Sequence, residues 1–291
     1  MNEAGWAIIV HGGARTIPTE RHGANRDGCR AAAAAGVDLL RDGASALDAV
    51  ELAVRSLEDD VAFNAGRGAV PTAAGHVELD AAIMDGSTLD IGAVAALQDI
   101  ANPVLVARML LGEPAVLLVG EGARAFAVER GIAVTDVFAV HAPGGCADHD
   151  TVGAVAIDRQ GRIAVATSTG GLPGQIPGRV GDAPIPGCGF YADDHAGGVA
   201  ISGDGEKILR VTLASRVIEQ LYRHPAQSAV TTALGALARV GGEAGLIALD
   251  VEGRFGVAHN SDHFAVAMAA DWLPEPIAGI HRDEFKDIIH G

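Results

Sequence analysis

Two threonines stand at the ends of one hairpin. In "HDTVGAVAIDRQGRIAVATSTGG", residues 149–171, Thr151 opens the apolar run Val152, Ala154, Val155, Ala156 and Ile157, and Thr169 follows the return run Ile163 to Ala166. Asp158-Arg159-Gln160-Gly161 supplies the polar turn between them. A threonine that begins a strand is by default a good β-former. Its hydroxyl becomes a nucleophile only when a base can take its proton. The charged run Asp148-His149-Asp150 directly before Thr151 therefore raises the question of what that base would be.

Other chemistry-bearing spacings are weaker. Ala166-Thr167-Ser168-Thr169-Gly170 resembles a relaxed nucleophile elbow around Ser168, but Pro173, Gly174, Pro177 and Gly178 leave no room for the helix that must follow. Gly187-Cys188-Gly189-Phe190-Tyr191-Ala192 matches a dinucleotide fingerprint, yet a proline-rich loop precedes it where a strand is required. His259 and His263 lie four apart at a strand end, without the glutamate of a zinc helix. His141, Cys146 and His149 could gather a metal, but solvated side chains in a linker explain them as well.

The elements that must position these groups follow from periodicity. Trp6–Val10 reads as a buried strand, followed by a helix over about 25–41. Ser45 with Asp48 marks the start of a second helix carrying Leu47, Val50, Val54 and Leu57. Asn102-Pro103 reads as the cap and first turn of a helix ending near Gly112. Ala115–Val119 reads as a buried strand, and a helix follows over about 122–130. Residues 133–150 lose periodicity and read as a linker. Beyond the hairpin come a short strand at 198–202, helices at about 206–223 and 226–240, and a hairpin of 245–250 with 254–259. Each half has too few strands for a sheet of its own, which predicts one α/β domain over residues 1–291 with the linker inside it.

Bulk properties exclude several classes. Of 291 residues 49% are hydrophobic, and the net charge is −16, so a core is assured and nucleic acid or an anionic membrane is a poor partner. Three cysteines make no disulfide framework, and the N-terminal apolar run is too short for a signal peptide, which predicts a cytoplasmic protein. No stretch reaches the length of a transmembrane helix.

The segment "HDTVGAVAID…ATSTGG…PGRVGDAPIPG" resembles the plant-type L-asparaginase / isoaspartyl peptidase family of N-terminal nucleophile hydrolases. "VHGGA", "GASALDAVE", "FNAGRGAV", "ELDAAIMDGSTLDIGAVAAL", "NPVLVAR", "SGDGE" and "AGLIALD" stand in the family's order over most of residues 6–270. "PIPGCGFYADDHAG" also looks like the related glycosylasparaginases. The resemblance implies a four-layer αββα sandwich. It implies self-cleavage at Asp150–Thr151 into an alpha subunit, 1–150, and a beta subunit, 151–291. Cleavage would supply the missing base: an amide nitrogen accepts no proton, whereas a free α-amine has a pKa of roughly 8 and can activate its own Oγ1.

By the same resemblance Thr169 supports the nucleophile. Ser202, usually a threonine, forms the oxyanion hole with the N–H of Gly203. Asn64 orients the catalytic threonine or its water. Arg179 and Asp182, with Gly205, bind the α-carboxylate and α-ammonium of an aspartyl unit attacked at its side-chain carbonyl. Read alone, Arg179 and Asp182 are a surface ion pair three residues apart. The carbonyls of Leu57, Glu58, Asp60, Phe63, Ala65 and Arg67 are implied to wrap a structural sodium, with no cofactor for the chemistry. Substrates would be small molecules, L-asparagine and β-aspartyl dipeptides, and the assembly a dimer of alpha/beta heterodimers. The alternatives are a glycosylasparaginase acting on N-glycosyl-asparagine, and an uncleaved homologue that only binds.

Overall fold

The computed structural model describes residues 5–135 and 151–286. In chain order the elements are β1 (Ala7–Arg15), α1 (His22–Arg41), α2 (Ala46–Asp59), β2 (Leu79–Asp85), β3 (Asp90–Leu97), α3 (Pro103–Leu110), β4 (Leu117–Val119) and α4 (Gly120–Glu129). After the undescribed stretch come β5 (Thr151–Ile157), β6 (Ile163–Thr169), β7 (Phe190–Asp193), β8 (Gly197–Gly203), α5 (Gly205–Val211), α6 (Leu213–Leu221) and α7 (Ala226–Leu234). The chain ends through β9 (Ala244–Asp250), β10 (Phe255–His259), β11 (His263–Ala270) and β12 (Ile277–Gly279).

Two sheets face each other. The larger has eight strands in the order β12-β11-β1-β5-β6-β2-β3-β4, and the smaller has four, β10-β9-β8-β7. Strands β1, β5 and β6 are buried at every position, because helices cover one face and the other sheet covers the second. Alternation sorts their side chains. Ile8, Val10, Val152 and Ala154 pack under α1 and α2 with Cys29, Val37, Val50 and Val54. Ile9, Val155 and Val165 meet Ala200, Ile247 and Leu249 of the smaller sheet. Val199, Ile201 and Leu246 pack outward against α6 and α7 through Val217, Ile218 and Val230. The layers are thus helix, sheet, sheet, helix, as the resemblance implied.

Several sequence expectations needed correction. The run at Ala115–Val119 is not a buried strand. It contributes three residues at the sheet's edge, paired with β3 alone, and Val119 is 58% exposed. Asn102 does not cap α3 with its side chain; it donates to Asp59 at 3.1 Å. Ser45 does cap α2, accepting the Asp48 N–H at 3.2 Å. The single helix expected at 206–223 breaks at Thr212, whose φ of 49° lies in the left-handed region. The next helix stops at Leu234 and tightens into a 3₁₀ turn. Nor are the two halves equally short of strands. Residues after 150 build the smaller sheet alone, while the larger sheet interleaves both halves, with β1 seated between β11 and β5.

Candidate active site

Strand pairing sets the reactive end. Thr151 and Thr169 are cross-strand partners, and Thr169 in turn faces Asp80 on β2. All three share the parity of Val155, Val165 and Ala82, so their side chains point between the sheets. Ser202 has the parity of Ala200 on β8 and faces them from the smaller sheet. The Thr151 N–H donates to Ser202 Oγ at 3.3 Å, and the Ala14 N–H donates to the same oxygen at 3.1 Å. With both acceptor positions filled, the Ser202 hydroxyl keeps its proton for a third partner. Thr151 and Thr169 are 6% and 4% exposed and Ser202 is fully buried, so charge developing here is poorly screened.

Beyond Thr169 the chain is held by Asn64. Its side-chain amide donates to the Gly171 carbonyl at 2.7 Å, its Oδ1 accepts the Val70 N–H at 3.0 Å, and its main-chain carbonyl accepts the Gly170 N–H at 2.7 Å. The Gly171 N–H returns to Thr169 Oγ1 at 3.1 Å. These contacts of Asn64 grip the Gly170-Gly171 turn that follows Thr169. Next to Ser202, Gly203 has φ of 146°, and a Cβ there would lie 2.2 Å from the Glu243 carbonyl oxygen. Gly203→Ala is therefore expected to lower the melting temperature by about 5 °C, from roughly 3 kcal/mol of strain and collision, in a thermal unfolding scan.

The second cluster hangs from the glycine- and proline-rich loop after β6. Thr167 Oγ1 donates to the Ala183 carbonyl at 2.7 Å, and the Asp182 carbonyl accepts the N–H groups of Ile185 and Gly189 at 3.0 and 3.1 Å. Asp182 is 3% exposed, and its Oδ2 is buried without a hydrogen-bond partner among the described residues. Burial raises its carboxyl to about 7; Arg179 works against that rise, while Glu206 and Asp80 add to it. Oδ1 lies 2.8 Å from where a Cβ on Gly205 would stand, so glycine at that position leaves Asp182 its place. The Arg179 guanidinium forks onto Glu206, Nε and Nη2 each at 2.9 Å. The surface pair of Arg179 with Asp182 suggested by spacing alone is not what forms: Asp182 is buried and Arg179 has another carboxylate partner.

Two buried groups were missed from the sequence. Asp80 accepts the N–H of Ala96, a residue at φ of 49°, at 2.8 Å. Burial lifts Asp80 to about 7, against hydrogen bonds from the Ala96 and Gly181 main chain and the charge of Arg179. It thus ties the threonine row to the Arg179 loop. His11 is fully buried on β1, and desolvation drives its pKa down to about 3, so it is neutral at pH 7. Its ring lies beside the Thr151 main chain, in space that Gly153 leaves open: a Cβ there would be 2.6 Å from Nε2. One polar residue between an apolar run and two glycines was the available signal for His11. For Asp80 the signal was an acid between apolar residues at the start of "LDAAIMD".

Among the described residues no group of three His, Cys, Asp or Glu is disposed to hold a metal ion. His259 closes β10 and His263 opens β11, while His141, Cys146, His149 and Asp150 lie outside the described residues. In the 57–67 loop the carbonyls of Leu57, Asp60 and Ala65 accept the N–H groups of Asp60, Phe63 and Gly68 at 3.1–3.3 Å. A Cβ on Gly66 would be 2.5 Å from the Glu58 carbonyl oxygen, and one on Gly68 would be 2.0 Å from that of Phe63. Arg67 pairs outward with Asp59. No helix among the described residues is long and apolar enough to cross a membrane.

Comparison with known proteins gives these groups a context. The family model described as Asparaginase matches residues 4–143 and 139–273. The chain is 40% identical over 283 residues to an isoaspartyl peptidase/L-asparaginase of Danio rerio, covering 90% of this chain and 91% of the relative. It is 40% identical over 286 residues to the Homo sapiens protein of the same name, covering 91% and 93%. It is 39% identical over 319 residues to an isoaspartyl peptidase of Salmonella typhimurium, covering 97% and all of the two chains.

Proposed function

Because the chain belongs to the asparaginase family, we propose that it is a hydrolase of β-aspartyl dipeptides and L-asparagine, working through Thr151 after cleavage of the Asp150–Thr151 bond. The observation that carries this reading is the Thr151 nitrogen, 3.3 Å from Ser202 Oγ and flanked by Thr169, all between the two sheets. Hydrolysis of the peptide bond turns that nitrogen into an α-amine. The amine takes the Oγ1 proton, and Oγ1 attacks the side-chain carbonyl of the aspartyl unit. The Ser202 hydroxyl and the Gly203 N–H receive the negative charge that forms on the carbonyl oxygen. The proton then passes to the departing amine, and water releases L-aspartate from the ester on Thr151. Thr169, held by the Gly171 N–H that Asn64 anchors, supports the nucleophile from the adjacent strand.

Arg179 reads the substrate α-carboxylate, and the buried, unpartnered Oδ2 of Asp182 is the seat for its α-ammonium. The carbonyl-rich turn from Leu57 to Arg67 suits a hard cation such as sodium, which prefers oxygen donors and would stiffen the segment carrying Asn64. The two cleavage products remain one unit, since β1 lies between two strands of the later half. We place the protein in the cytoplasm, in keeping with the buried free thiol of Cys188, and as a dimer of heterodimers.

The test is mass spectrometry of the purified protein, with Edman sequencing and assays on β-Asp-Leu and L-asparagine. Two fragments meeting at residue 151, a new Thr-Val-Gly-Ala-Val terminus and release of L-aspartate are expected. An intact, inactive 29.5 kDa chain after long incubation at neutral pH would support the binding-only alternative.

A further inference from the structure

An arginine guanidinium offers two edges onto which a carboxylate can fork: the side edge from Nε to one terminal nitrogen, and the end edge carrying both terminal nitrogens. In Arg179 the side edge is occupied, since Nε and Nη2 each donate to a Glu206 carboxylate oxygen at 2.9 Å. The end edge is turned another way. The position of a Cβ on Gly181 lies 3.0 Å from Nη1 and 3.3 Å from both Cζ and Nη2, against the face of the guanidinium, and that on Gly205 lies 3.1 Å from Nη2. The Gly205 position is also 2.8 Å from Asp182 Oδ1. The end edge is therefore not engaged by Glu206, and its Nη2 corner borders the space that Gly205 leaves open beside Asp182. Glu206 grips from outside: its side chain is 55% exposed, and that of Arg179 only 17%.

Stabilisation alone does not explain this pair, because a half-exposed ion pair contributes little. What the fork does is fix the direction of a long, rotatable side chain. Asp182 and Asp80, both buried, also interact with Arg179 electrostatically. Released from Glu206, the guanidinium would be free to rotate about its long stem, and the edge it offers a carboxylate would lose its fixed direction.

We propose that Glu206 is a positioning residue for Arg179: it holds the side edge of the guanidinium so that the end edge stays open to a free α-carboxylate. This rests on the reading of Arg179 and Asp182 as the substrate clamp. Glu206 touches neither the nucleophile nor the reacting carbonyl in this scheme, so it acts on recognition and leaves cleavage and kcat alone.

The experiment measures inhibition of β-Asp-Leu hydrolysis by L-aspartate and by β-alanine, which is L-aspartate without its α-carboxylate. The ratio of the two Ki values reports how strongly that carboxylate is read. Glu206→Ala is expected to weaken L-aspartate about 10-fold and to leave β-alanine within about twofold. KM for β-Asp-Leu should rise in parallel, with kcat, self-cleavage and melting temperature nearly unchanged. Glu206→Gln, which keeps one acceptor oxygen, should fall between. Equal weakening of both inhibitors, or of neither, overturns the proposal. Arg179→Ala separates the two levels of inference. If it leaves the ratio intact, the clamp itself is misassigned. If it collapses the ratio and Glu206→Ala does not, the clamp stands and Glu206 has no part in aiming it.

Discussion

Thr151→Ala is expected to leave the chain whole at 29.5 kDa and to lower hydrolysis of β-Asp-Leu by on the order of 10⁴-fold or more. The size follows from one residue supplying two groups. Oγ1 is the nucleophile in self-cleavage and in turnover, and the α-amine that activates it exists only after cleavage. Removing the hydroxyl therefore removes the nucleophile and prevents the base from being made. The fold should survive, because Thr151 sits at the first position of β5 and the strand's apolar anchors begin at Val152 and Val155. An unfolding scan within a few degrees of the wild type, beside a single band on a denaturing gel, is the expected pair of results. Thr151→Ser keeps the hydroxyl but frees χ1, so cleavage should persist more slowly. A Thr151→Ala chain that still splits at residue 151 would require another nucleophile and would sink the scheme.

Legibility in the sequence followed the physics of each feature. The hairpin of β5 and β6 was readable because two uniformly apolar runs flank a polar turn, and the Ser45 cap because its partner lies three residues away. β2 and β3 were seen as a motif and not as strands, since "LDAAIMD" mixes charge with apolar residues. Its acid at Asp80 is buried by tertiary contacts that no local window contains. The edge strand at Leu117–Val119 misled for the opposite reason: apolar composition does not say whether a strand has neighbours on both sides. At the site, family resemblance supplied Thr151, Thr169, Arg179 and Asp182. Spacing alone would have made Arg179 and Asp182 a surface pair, because burial of Asp182 depends on contacts with residues 20 or more positions away, such as Gly205. The fork of Arg179 onto Glu206 was likewise invisible, being set by how α5 returns to the loop.

Substrate selection carries the second large effect. An α-linked aspartate has no free α-carboxylate for Arg179, so α-Asp-Leu should not be cleaved at all while β-Asp-Leu is cleaved and L-asparagine more weakly. The ammonium side is tested by Asp182→Asn. Its carboxylate is buried and Oδ2 has no hydrogen bond among the described residues, so an incoming ammonium is its compensating charge. Losing one charge-assisted contact costs about 1.5–3 kcal/mol, roughly 10- to 150-fold in kcat/KM on both substrates, with self-cleavage largely spared. The pH profile gives an independent reading. Because burial raises the Asp182 carboxyl to about 7, the proton stays on below that pH and the ionised form exists above it. For the wild type kcat/KM should therefore fall as pH drops through about 7, since a protonated carboxyl cannot pair with the ammonium. In Asp182→Asn the amide does not titrate, and the acid limb should flatten to whatever Asp80, raised to a similar range, still contributes. An unchanged rate on β-Asp-Leu together with an unchanged acid limb would show that Asp182 is a buried structural carboxyl and that the α-ammonium is read elsewhere.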